Sequence, residues 1–151
     1  MDRTRLRALG LDLGSKRIGV ALSDSSALIA NPFTVIQRSR HHSEDHRRIA
    51  EIVVEEEVDV VIVGLPLNMD GSRGSAARAA VAECAELATV LGVPVETSDE
   101  RRSTVAADAV LIQSGMRAPD RRKVVDKVAA TVILQGWLDA RRERLRRETA
   151  P

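Results

Sequence analysis

Apolar positions follow a strand-like pattern in the first third of the chain and a helical one in most of the rest. Arg7–Leu13 (RALGLDL) and Arg17–Ser23 (RIGVALS) read as short strands. Gly14-Ser15-Lys16 between them is a tight turn, so the two segments predict a hairpin. Asn31-Pro32 punctuates the chain, and Phe33–Gln37 is a third expected strand. Ser43 is placed to cap a helix carrying Glu44 and Asp45 in its first turn, where the helix dipole favours acids. Ile49, Ile52 and Val53 keep helical spacing up to about Glu57. Val58–Val63 (VDVVIV) is nearly continuous in apolar character, as in a strand covered on both faces.

After Gly64-Leu65-Pro66 comes a polar loop containing Asn68, Asp70, Gly71 and Gly74. Ser75 is the expected cap of a second helix, with the stripe Ala80, Val81, Cys84, Leu87, Ala88, Leu91 and a stop at Gly92. Val93–Thr97 predicts a short strand, Ser103 caps a helix to about Ser114, and a long helix runs from about Asp120 to Arg146. The order βββαβαβαα implies an α/β fold: a mixed five-stranded sheet with helices on both faces. One domain spans 1–151, with a core over about 6–140 and an Arg-rich tail over 141–151.

Composition narrows the functional classes. The 151 residues are 44% hydrophobic and 30% charged, with one Phe, one Trp and no Tyr. Modules that stack unpaired bases on several aromatic rings are thereby close to excluded. A single cysteine, Cys84, cannot close an intramolecular disulfide. Three histidines and that cysteine make a zinc site of the usual ligand types improbable. No apolar run reaches the length needed to span a bilayer, and the N-terminus lacks a signal-peptide core, so a soluble cytoplasmic protein is expected. The net charge of +1 conceals segregation. Residues 44–59 carry seven acids and two arginines, whereas residues 101–127 carry seven bases and three acids. Arginine dominates the basic residues, which suits a phosphate-facing side opposite an acidic one.

Three acids stand where acids are structurally unwelcome. Asp12 lies inside the first strand, beside a glycine that leaves room for a ligand near the backbone. Glu100 follows the end of the fifth strand, where ligands gather in open α/β sheets. Asp126 shares a helix face with Ala130, Ile133 and Trp137, and a carboxylate on an apolar stripe needs a cation or strong donors. Local roles in turns, caps and surface ion pairs remain open for each acid. Brought together, the three would form an oxygen-only site for a hard cation such as Mg²⁺ or Mn²⁺.

Four ordered blocks then resemble one family. LGLDLGSKRIGVALSD at 9–24, VIVGLPLNMDGS at 61–72, DERRSTVAA at 99–107 and VVDKVAATVILQGWL at 124–138 are similar to the YqgF/RuvX family of ribonuclease H-like nucleases. The resemblance implies a ribonuclease H-like fold and a divalent-metal phosphodiesterase. It puts the catalytic and metal-holding triad on Asp12, Glu100 and Asp126, with the second acid after the fifth strand rather than the fourth. Lys16, Arg17, Arg73, Arg101, Arg121, Arg122 and Lys123 are the bases expected to hold phosphates.

The implied substrate is nucleic acid: the 5′ end of pre-16S rRNA, or alternatively a four-way (Holliday) DNA junction. Symmetric junction cleavage needs two active sites and hence a homodimer, for which Leu134, Trp137 and Leu138 on the final helix are the candidate surface. Two other classes differ in what they require. A non-catalytic nucleic-acid-binding module on the same fold would not need the acids. An actin-like kinase or ATPase, suggested by D-L-G-S-K after the first strand, needs two such domains where this chain holds one.

Overall fold

The computed structural model describes residues 5–66, 72, 74–99 and 118–149, with the side chains of 118–127 outside that description. In chain order, β1 is Ala8–Leu13, β2 Arg17–Ser23, β3 Ala30–Gln37, α1 His42–Glu55, β4 Val60–Leu65, α2 Ser75–Leu91, β5 Val95–Asp99 and α3 Ala118–Thr149. The strands form one sheet in the order β3-β2-β1-β4-β5. β1 pairs antiparallel with β2 and parallel with β4; β2–β3 is antiparallel and β4–β5 parallel. The expected mixed five-stranded sheet is therefore present. The helix expected over 103–114 lies outside the described residues.

Alternation along β1 creates two cores, because successive side chains point to opposite faces. Leu9 and Leu11 pack with Ile49 and Val53 of α1 and Leu87 of α2. Ala8 joins Ile62 of β4 and Ala130, Ile133, Leu134 and Leu138 of α3 on the other side. β4 is buried along its whole length, as its apolar run predicts. Gly10 is the close-approach point: a Cβ there would lie 2.8 Å from Leu134 Cβ and 3.0 Å from the Ala130 carbonyl oxygen. Only a glycine lets α3 rest this near β1.

Element boundaries moved for physical reasons. β3 begins at Ala30, not Phe33, because Pro32 sits on an edge strand, where no ladder donor is required of it. The pairing of β2 with β3 shifts register between Val20 and Ala21, beside Asn31-Pro32. β4 and β5 each start two residues later than the apolar runs indicate. The first helix takes His41 as its N-cap and the second takes Gly74, neither with a side-chain capping bond, so Ser43 and Ser75 are not caps. Gly92 does end α2, in the left-handed conformation (φ 69°).

α3 continues to Thr149 with ion pairs from Arg142 to Asp139 and from Arg146 and Arg147 to Glu143. The expectation that Leu134 and Leu138 supply a dimer surface is corrected here. Both are fully buried in the chain's own core, and Trp137 packs against the same core while its indole N–H donates to Glu96 at 3.4 Å. Among the described residues no helix is long and apolar enough to cross a membrane.

Candidate active site

Asp12 is the second-last residue of β1, half-buried and paired with Gly19 of β2. It shares a strand face with Gly10, two residues earlier, and therefore lies on the α3 side of the sheet. Two residues along a strand advance about 6.6 Å. From the Gly10–Ala130 contact, position 126 lies one helical turn back along α3, about 6 Å along its axis. Gln135 of α3 donates to the Leu28 carbonyl and accepts from the Ala30 amide, at the end of the sheet opposite Asp12. α3 thus runs antiparallel to β1, and the backbone at 126 comes level with Asp12. The Asp126 side chain lies outside the described residues.

Glu100 is also outside them, but the strand it follows is not. β5 ends at Asp99, paired with Leu65 at the end of β4, and Val63 of β4 pairs with Leu11 of β1. The fifth strand therefore finishes at the same edge of the sheet as Asp12, two strands away.

The β1–β2 turn carries two of the expected phosphate-binding bases. Lys16 is exposed at its tip and Arg17 half-buried at the start of β2. Gly14 makes the turn tight: a Cβ there would lie 2.5 Å from the Arg17 carbonyl oxygen. Arg73 and Arg101 fall outside the described residues. Arg121, Arg122 and Lys123 lie in the first turns of α3, their side chains undescribed.

Sequence reasoning missed the group that fixes this turn. The Arg38 amide donates to the Lys16 carbonyl at 2.9 Å, and its Nε to the Gly14 carbonyl at 2.9 Å. Its two terminal nitrogens donate to both oxygens of Glu83 on α2, at 2.7 and 2.9 Å. His46 Nε2 donates to Glu83 Oε2 at 2.7 Å, and the fully buried Asp45 accepts from the Ser39 amide at 2.8 Å. Burial alone would raise the Glu83 pKa, but the hydrogen bonds from Arg38 and His46 and the Arg38 charge outweigh it and hold it below its ordinary value. A cavity of about 440 Å³ opens beside the turn, lined among others by Gly14, Ser15, Ser39, Arg40 and Ala76. A signal for this network existed: Glu83 stands three residues after Ala80 and four before Leu87, on the apolar stripe of α2.

This fold, with an acid at the end of its first strand facing a terminal helix, is that of the ribonuclease H-like nucleases. RuvC from Thermus thermophilus superposes with a TM-score of 0.56 at 18% identity, covering 91% of this chain and 97% of that one. The same protein in complex with a Holliday junction substrate gives 0.56 at 20% identity, over 90% and 95%. Residues 6–140 match the model of the RuvX family, described as a Holliday junction resolvase, and the chain belongs to that family. A relative from Anaeromyxobacter sp. (strain Fw109-5), named a pre-16S rRNA nuclease, is 52% identical over 90% of this chain and 98% of its own. One of the same name from Myxococcus xanthus is 49% identical over 91% and 90%.

Proposed function

We propose that this protein is a divalent-metal-dependent nuclease that hydrolyses phosphodiester bonds at the 5′ end of 16S ribosomal RNA precursor, a task of the cytoplasm. The reading is supported by the close approach of α3 to β1 at Gly10 and Ala130, from which helical geometry puts position 126 level with Asp12, at the end of the sheet where β5 also finishes. Carboxylates on Asp12, Glu100 and Asp126 would make an oxygen-only donor set, which fits Mg²⁺ or Mn²⁺. When bound, such an ion supplies the charge that activates water and stabilises the departing oxygen on phosphorus.

The chain's own residues do the rest. Asp12, on a strand buttressed from both faces, holds its carboxylate in a fixed position. Lys16 and Arg17 hold a backbone phosphate from the β1–β2 turn, and Arg73, Arg101, Arg121, Arg122 and Lys123 hold neighbouring phosphates around the cleft. These contacts read backbone and shape, in keeping with the scarcity of aromatic rings. The names of the relatives favour RNA as substrate.

The second reading, junction resolution by a homodimer, is favoured by the shared fold of RuvC, whose structure holds a Holliday junction substrate. It loses one support, because Leu134 and Leu138 are used inside the chain. Incubation with Mg²⁺ or Mn²⁺ of a 16S 5′-leader RNA and of a four-way DNA junction separates the two. Cleavage of the leader by a monomer is the expected result, and symmetric cutting of the junction with the leader left intact would contradict it.

A further inference from the structure

A second set of ligand-type side chains lies on the sheet face opposite Asp12, between α1 and α2. His42 and His46 stand one helical turn apart on α1, and Glu86 faces them from α2. One ring nitrogen of each histidine and one Glu86 carboxylate oxygen all lie within 4.8 Å of one another. The edge from His42 Nδ1 to Glu86 Oε2 is 3.5 Å. Two ligands bonded at about 2.0–2.1 Å to a tetrahedral ion stand roughly 3.4 Å apart, so this edge is already formed. His42 and Glu86 are each 56% exposed in their side chains and free to close the remaining gap.

Two features of the buried residues point the same way. His46 is 2% exposed, and its Nε2 is held at 2.7 Å by Glu83, leaving Nδ1 as the nitrogen available to a ligand. A carboxylate gripping the far nitrogen is how proteins orient metal-binding imidazoles and raise their basicity. Among the described residues around that ring, the cation Arg38 faces two buried carboxylates, Glu83 and Asp45, and Asp45 Oδ2 has no hydrogen-bond partner there. Arg38 against Glu83 and Asp45 leaves one net negative charge beside the ring, which a cation there would offset.

Although three histidines and one cysteine argue against a zinc site when counted along the sequence, the fold brings two of those histidines together, and we propose that His42, His46 and Glu86 form a three-ligand site for a borderline transition-metal ion of the Zn²⁺ type, joining α1 to α2. Two imidazoles and a carboxylate suit such an ion, whereas Mg²⁺ prefers all-oxygen ligands in octahedral geometry. The site is separate from the hard-cation set around Asp12 and does not depend on the nuclease reading. The fourth position stays open to water.

The test is titration of the chelator-stripped full chain with ZnCl₂ in millimolar Mg²⁺, which fills oxygen-only sites, read by calorimetry and thermal unfolding. One saturable Zn²⁺ per chain is expected, with a rise in Tm. His42→Ala and Glu86→Gln should each weaken binding at least tenfold and abolish the Tm rise. Their metal-free Tm should match that of the parent, because both residues are exposed. Absence of saturable binding, or undiminished affinity in either variant, overturns the proposal.

Discussion

Arg38 and Glu83 meet through two parallel charge-assisted hydrogen bonds, Nη1 to Oε2 at 2.7 Å and Nη2 to Oε1 at 2.9 Å, with both side chains at least nine-tenths buried. The same guanidinium holds the Gly14 carbonyl, so the turn two residues beyond Asp12 is tied to α2. Removing one member of a buried pair leaves an uncompensated charge. Glu83→Gln is therefore expected to cost about 3–5 kcal/mol in denaturant unfolding. A change within a few tenths would show that the pair is not formed in solution.

That pairing also sets an acid response. The Glu83 carboxyl is held below its ordinary value, so its stabilising contribution is complete above the unfolded-state pKa, about 4.3. It is lost as pH falls through the lower native value. Thermal unfolding between pH 7 and pH 3 should show a fall in Tm below about pH 4.3. In Glu83→Gln that acid-dependent fall should be smaller.

Gly10 tests the geometry on the other face. A methyl group would meet Leu134 Cβ at 2.8 Å and the Ala130 backbone oxygen at 3.0 Å, and the backbone cannot yield without moving α3. Gly10→Ala is expected to cost about 1–3 kcal/mol. It should also lower cleavage beyond what lost folded protein explains, because position 126 shifts against Asp12.

Much of this was legible in the sequence, for identifiable reasons. β1, β2 and their turn were readable because Gly14-Ser15-Lys16 punctuates two clear strand patterns, and β4 because burial on both faces demands an unbroken apolar run. The start of β3 was not, since Pro32 signals a break unless the strand is known to lie at an edge. Ser43 misled as a cap because local propensity ignores that Asp45 instead turns inward to the Ser39 amide, and Ser75 because α2 starts from Gly74 without a side-chain cap. The placement of Asp12 near the end of β1 could be argued from its strand alone. That of Arg38, Asp45, His46 and Glu83 in one network could not, because their partners lie up to 45 residues apart and only the packed helices bring them together.

Cys84 offers a chemical probe of the same packing. Burial, and to a lesser extent the nearby Glu83 charge, pushes its thiol up to about 11, so at pH 8 it is a neutral, enclosed thiol. Alkylation by iodoacetamide should be slow in the native protein and rapid once it is unfolded in denaturant. Fast native labelling would show that α2 opens readily from the sheet.

Cleavage of a 16S 5′-leader RNA by Asp12→Asn, measured with and without Mg²⁺ or Mn²⁺, tests the central claim most directly. The substitution keeps the shape and removes the charge at the proposed metal-holding position on β1. The account predicts metal-dependent cleavage by the parent and a loss of roughly two orders of magnitude or more in the variant, at unchanged Tm. Undiminished cleavage by Asp12→Asn, or cleavage by the parent that continues unaltered in excess chelator, would contradict it.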